Sequence, residues 1–173
     1  ATEGIARWSF PRRFRKMVEN ISYHPPAASQ VLTNKVFGAL RNAHVDFVRE
    51  QHKAYNHTIW MGLLHLFPQA DVPVIEVAMP FLGPGRLFSI GQALAPLRKD
   101  GILVVSSGTV THNLGSFGHK GPVPGWASEF DQWTKESIAG NQIDQLLDWR
   151  HKGPANNIAH PDDGGHFNVL MFA

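Results

Sequence analysis

The sequence predicts an α/β fold, with a central and largely parallel sheet flanked by helices. Two observations carry this expectation. The apolar run Ile102-Leu103-Val104-Val105 reads as a strand covered on both faces, and it leads straight into Ser106-Ser107-Gly108-Thr109-Val110-Thr111-His112. Strands covered on both faces are typical of parallel sheets. Around this run, helical and strand-like patterns alternate with short connections, as in a sheet layered by helices.

Each element has its own reason in the sequence. Pro26 can open a helix reaching about Arg41, with Val31, Leu32, Val36, Phe37 and Leu40 on one face. His44 to Val48 alternates and reads as a short strand. Asn56 is a natural N-cap for the apolar helix around Ile59-Trp60-Met61-Gly62-Leu63-Leu64, which Pro68-Gln69-Ala70-Asp71 ends. Val72 to Met79 is rich in β-branched residues and reads as a buried strand. Leu87, Ile90, Leu94 and Leu97 repeat at helical spacing, and Lys99-Asp100-Gly101 closes that helix before the strand 102–105. Gly115 to Gly125 is a glycine- and proline-rich loop. Helices follow over Trp126 to Ile138 and around Ile143 to Trp149. Ala155 to Gly165 is irregular, and Phe167 to Ala173 begins a last apolar element.

Composition narrows the class. A chain of 173 residues with 43% hydrophobic and 17% charged content suits one domain with a full core. No apolar run approaches the ~18–20 residues of a membrane span. The absence of cysteine excludes disulfides and thiolate metal sites, and a cytoplasmic location is the matching expectation. The chain starts Ala1-Thr2-Glu3 with neither a methionine nor a signal-peptide pattern, as processing or a longer parent chain would leave it. Charge is uneven: residues 1–60 carry nine Lys or Arg against four Asp or Glu, and residues 61–173 carry seven against ten. Much of the excess lies in Arg12-Arg13-Phe14-Arg15-Lys16, a solvated helix face or an attractor for an anionic, carboxylated substrate. No recognition motif accompanies it, so nucleic acid is not an expected partner.

Ten histidines are many for this length. No His-Glu-x-x-His pair occurs, so any metal site must be assembled from distant segments. Four histidines stand at the boundaries of predicted elements. His57 is at the mouth of the apolar helix, His112 follows the strand 102–105, and His160 and His166 flank the turn-rich Pro161-Asp162-Asp163-Gly164-Gly165. The carboxyl end of a strand in an α/β sheet is where ligands bind, which favours His112 for proton transfer or metal ligation. A loop histidine bonded to nearby backbone is the competing reading. His24, His44, His52, His65, His119 and His151 read as surface or packing residues. No Gly-x-Ser-x-Gly elbow, phosphate loop or dinucleotide fingerprint is present.

Four collinear passages resemble the class III extradiol ring-opening dioxygenases, in the DOPA 4,5-dioxygenase branch. Asn56-His57-Thr58-Ile59-Trp60 is similar to the family's Asp-His-Gly-Thr/Ala-Trp motif. Leu66-Phe67-Pro68-Gln69-Ala70-Asp71-Val72-Pro73-Val74 resembles Tyr-Pro-Glu-Ala-Asp-Ile-Pro-Val. Ser107-Gly108-Thr109-Val110-Thr111-His112-Asn113-Leu114 resembles Ser-Gly-x-x-x-His-Asn-Leu. His160-Pro161 with His166-Phe167 resembles His-Pro followed by Glu-His-Phe/Tyr. The similarity runs from about Phe10 to Ala173.

The resemblance implies a single catalytic-type α/β domain over residues 1–173, incomplete at both ends. It implies a non-haem Fe(II) that binds a catechol and then O2, with zinc an alternative occupant because it accepts the same imidazole donors. By the same resemblance His112 would be the acid/base, His166 a metal ligand, His57 a partner near oxygen or metal, and His160 a residue lining the substrate pocket. There are departures. Asn56 replaces Asp, Thr58 replaces Gly, and Gly165 stands where Glu is usual. The family's N-terminal Gly-His-Gly-Ser-Pro and Ser-Ala-His-Trp motifs, which supply two metal ligands, and its final strand are missing. One imidazole cannot hold Fe(II), which needs about three protein ligands. Two accounts follow: a catechol-cleaving dioxygenase whose terminal parts lie outside these residues, or a metal-free homologue that binds or assembles with a partner chain or as a homo-oligomer.

Overall fold

The first helix starts where a serine can cap it. In the computed structural model, which describes residues 16, 18–50, 55–78, 82–162 and 164–172, α1 spans Gln30–Asn42, and the Ser29 hydroxyl accepts the Leu32 N–H at 3.1 Å. Pro26 therefore does not open it; the helix begins four residues later, where a side chain satisfies one of its unpaired donors. The chain folds as two units, Ala1–Ala78 and Met79–Ala173.

In the N-terminal unit, α2 covers His57–Leu66, and the Asn56 side chain accepts the Thr58 N–H as expected. Its buried Trp60 and Leu63 join Val18, Tyr23 and Tyr55 in a small core. Both tyrosines keep their hydroxyls bonded: Tyr23 donates to the Phe67 carbonyl and Tyr55 to that of Val74, each at 3.0 Å. The expected strand over His44 to Val48 does not form. His44 takes a left-handed φ of +51°, Val45 N–H returns to the Leu40 carbonyl, and Val48 is exposed. The predicted strand Val72 to Met79 is likewise unpaired among the described residues, save for an isolated parallel bridge between Ala27 and Val74. Its residues are half-buried or exposed, and Met79 lies outside the described residues. Residues 12–15 of the basic run lie outside them too.

In the C-terminal unit, α3 (Pro84–Leu94) continues as a 3-10 turn over Ala95–Asp100 and stops at Gly101, whose φ of +75° suits glycine. Leu87, Ile90, Leu94 and Leu97 are all buried, as their spacing predicts. Helix α4 (Gly125–Ala139) packs against α5 (Ile143–Leu147) and α7 (Asn156–Ala159). Helices α6 (Trp149–Lys152) and α8 (Gly165–Asn168) and a 3-10 turn over Val169–Phe172 complete the unit. Its core is Leu87, Phe130, Trp149, Ala159, Phe167 and Met171. Phe130 meets Trp149 and Phe167 edge-on at 6.1 and 5.1 Å, a geometry worth about 0.5–1.5 kcal/mol per pair beyond burial.

The sheet itself is the main departure from expectation. Among the described residues no strand ladder forms, and helices carry the regular structure. The run 102–105 belongs to no regular element and is only half covered: Leu103 and Val105 are 62% and 47% exposed. An apolar run specifies an extended chain, but a sheet needs neighbours with free backbone groups, and none of the described segments offers them to it. No helix among the described residues is long and apolar enough to cross a membrane.

Candidate functional site

Two stretches far apart in sequence are laced together in the C-terminal unit. The His112 N–H donates to the Ala159 carbonyl at 2.8 Å, and Thr109 N–H to that of His166 at 3.3 Å. The Asn113 amide donates to the Ile158 carbonyl at 2.8 Å, while its carbonyl oxygen caps the turn Leu114–Ser116. The His160 ring returns the contact, its Nε2 lying 2.7 Å from the Val110 carbonyl oxygen. Gly108 permits this approach: a Cβ there would collide with the His166 carbonyl oxygen and with Val169 Cγ2. Three of the four predicted histidines are thereby brought together.

His112 and His166 stack, with ring centroids 3.9 Å apart and planes 21° from parallel. His112 Nδ1 lies 2.5 Å from the Asp162 carboxylate, and the two side chains are 23% and 36% exposed. A carboxylate only accepts, so Nδ1 carries the proton of this bond, and in the neutral ring Nε2 is the bare nitrogen. Asp162 Oδ1 also accepts the Gly164 N–H at 2.9 Å, an Asx turn that Gly164 completes with φ of +74°. Burial works to raise the Asp162 carboxyl, but the hydrogen bonds from His112 and Gly164 outweigh it and hold it below the usual carboxylate value.

His160 is fully buried. Phe130, Trp149 and Phe167 surround its ring at 5.6, 5.3 and 5.5 Å. A carbonyl accepts only, so Nε2 is the protonated nitrogen; Nδ1 has no hydrogen-bond partner among the described residues and lies 3.8 Å from Asp162 Oδ1. Burial pushes this imidazole below its ordinary value, outweighing the Val110 bond that acts the other way. Arg150 braces the same loop, donating to the His160 carbonyl at 2.9 Å and to the Asp162 carbonyl at 2.5 Å, with its guanidinium 4.0 Å over the Trp149 ring.

His57 belongs to the N-terminal unit, as the first residue of α2, and burial lowers its pKa. Two residues of the cluster carry no role in the sequence reading. Asp162 was legible only as an Asp two before a Gly in a turn-rich run, and Arg150 only as a basic residue at a helix end.

The donors do not assemble a metal centre. Among the described residues no three His, Cys, Asp or Glu side chains are grouped to hold an ion. The bonds to Asp162 and Val110 engage only one nitrogen of His112 and of His160, so what is lacking for Fe(II) among the described residues is the grouping of three donors.

Residues 9–173 match the family model of the catalytic LigB subunit of aromatic ring-opening dioxygenase. A 4,5-DOPA dioxygenase extradiol of Portulaca grandiflora is 30% identical over 141 residues, 79% of this chain and 50% of the relative. One from Beta vulgaris is 28% identical over 153 residues, 87% of this chain and 57% of the relative. One from Escherichia coli K12 is 30% identical over 121 residues, 68% and 44%. The chain thus spans about half the length of these relatives. The crystal structure of an uncharacterized Escherichia coli K12 protein superposes with a TM-score of 0.71 at 25% identity, covering 88% of this chain and 64% of that one. The family match extends over nearly the whole chain, and on that ground the chain belongs to the family of the catalytic LigB subunit of aromatic ring-opening dioxygenases.

Proposed function

We propose that this chain is part of an extradiol dioxygenase that opens a catechol ring with O2 at a non-haem Fe(II). The observation that carries the reading is His112, with Nδ1 on Asp162, one face on His166 and Nε2 left as a base. Such a nitrogen can take a proton from a catechol hydroxyl and return it later, work worth about 10²–10⁴ in rate. His166 is the metal ligand in this reading, and the remaining ligands come from residues other than those described, in this polypeptide or a partner chain. His57 serves near oxygen or metal. His160 serves the pocket from behind, by fixing Val110 beside His112. Zinc is an alternative occupant in purified protein.

The direct test is oxygen uptake with a yellow product from DOPA or caffeate after anaerobic addition of Fe(II). Turnover that His112→Ala abolishes supports the reading. No turnover, together with no bound metal by elemental analysis, sinks it. The lack of a three-donor group among the described residues favours one rival, a metal-free module that works with a partner chain. Solution mass and co-purifying chains test that rival, and a monomer that cleaves catechols ends it.

A further inference from the structure

We propose that Asp162 is a positioning residue for His112: it fixes the ring's orientation and holds it in the tautomer whose Nε2 is the bare nitrogen. This rests on the reading of His112 as the proton-transfer residue, and adds a residue to it.

The geometry carries the inference. Imidazole free in water prefers its proton on Nε2, so a ring that must act as a base through Nε2 needs a partner on Nδ1 that only accepts. Asp162 Oδ2 provides that partner at 2.5 Å. The carboxylate is itself held: its other oxygen takes the Gly164 N–H at 2.9 Å, and the Asp162 main-chain carbonyl takes a guanidinium N–H of Arg150 at 2.5 Å. Arg150 lies over Trp149 and also holds the His160 carbonyl, so the carboxylate stands on the buried aromatic core rather than on a free loop. His112 is constrained from three sides, by its own N–H on Ala159, by Asp162 on Nδ1 and by the His166 ring on one face. A group held this firmly loses little entropy when the reacting geometry forms.

The roles of the two carboxylate oxygens make the proposal testable. In Asp162→Asn, the Gly164 N–H still demands an acceptor, so the amide oxygen stays there and its NH2 turns toward His112. Nδ1 must then accept, and the proton moves to Nε2. The measurement is a long-range 1H–15N correlation spectrum of the full chain with 15N-labelled histidine, recorded above the histidine titration range without added metal. His112 is assigned by the signals lost in His112→Gln. The native chain is expected to show His112 protonated on Nδ1, and Asp162→Asn to show it on Nε2. In a chain that turns over catechol, Asp162→Asn should lower kcat by about 10²-fold with KM within about twofold.

A native His112 protonated on Nε2 overturns the proposal, and this needs no variant to fold. An unchanged tautomer in a folded Asp162→Asn overturns it as well, as does a tautomer switch that leaves kcat unaltered. The expected tautomers in a chain that shows no oxygen uptake uphold the positioning and count against the dioxygenase reading alone.

Discussion

The buried ring of His160 donates to the carbonyl oxygen of Val110 at 2.7 Å, across 50 positions of sequence. It ties the loop bearing His112 to the aromatic core formed by Phe130, Trp149 and Phe167. His160→Phe preserves the ring volume and removes the donor, leaving the Val110 carbonyl without it. That change should cost about 1–3 kcal/mol. His160→Ala adds a cavity and should cost more, about 3–5 kcal/mol by analogy with large aromatic truncations. Urea midpoints of the two variants decide the order.

Acid should destabilise the chain in two separate ranges. His160 is kept neutral by burial, so its folded pKa is below the unfolded one. Its contribution is fully present above the ordinary histidine value of about 6.5 and is lost as the pH falls through the lower folded value. Asp162 is also depressed, so its contribution is present above the usual carboxylate value and disappears below it. Melting temperatures from pH 8 downward should therefore fall, and His160→Phe should flatten the upper part of the curve. A rise in stability on acidification through the upper range would contradict this account.

Gly108→Ala should disrupt the site from the backbone. The added methyl meets the His166 carbonyl oxygen and Val169 Cγ2, and the carbonyl is fixed in α8. Overpacking of this kind costs about 1–3 kcal/mol, more when the obstacle is main chain. The expected readouts are a lower thermal midpoint and a displaced His166 resonance in the histidine spectrum.

Arg150→Ala should loosen the 160–162 loop by removing the two donors to the His160 and Asp162 carbonyls and the stack on Trp149. A loss of about 1–3 kcal/mol is expected. Lysine should not restore it, because one ammonium cannot reproduce a planar fork that reaches both carbonyls. Amide hydrogen exchange of His160 and Asp162 would show faster opening in both variants if this is right.

The helices were legible because they announce themselves locally. Asn56 caps α2 and the spacing of Leu87, Ile90, Leu94 and Leu97 marks α3, each within one or two turns of chain. The strands were not, since Ile102 to Val105 and Val72 to Met79 record only apolar, β-branched chemistry and not who lies beside them. The same limit applies to the site. His112, His160 and His166 stand out at element boundaries and do converge, whereas Asp162 reads as turn material and no local pattern marks Arg150. Their roles depend on contacts 50 and 10 positions away, which no local pattern encodes.

The lacing of residues 108–113 to 158–166 has a consequence for tolerance to change. It closes a loop of about fifty residues, and the entropy of closing a loop grows only by about 0.6 kcal/mol for each doubling of its length. Residues added at the exposed turn around Gly118 to Val123 would therefore alter the closure very little, and the histidine pair would meet as before. One carbon added at Gly108 would keep the ends apart. The machinery is indifferent to how much chain it encloses and intolerant of a single atom at its fastening.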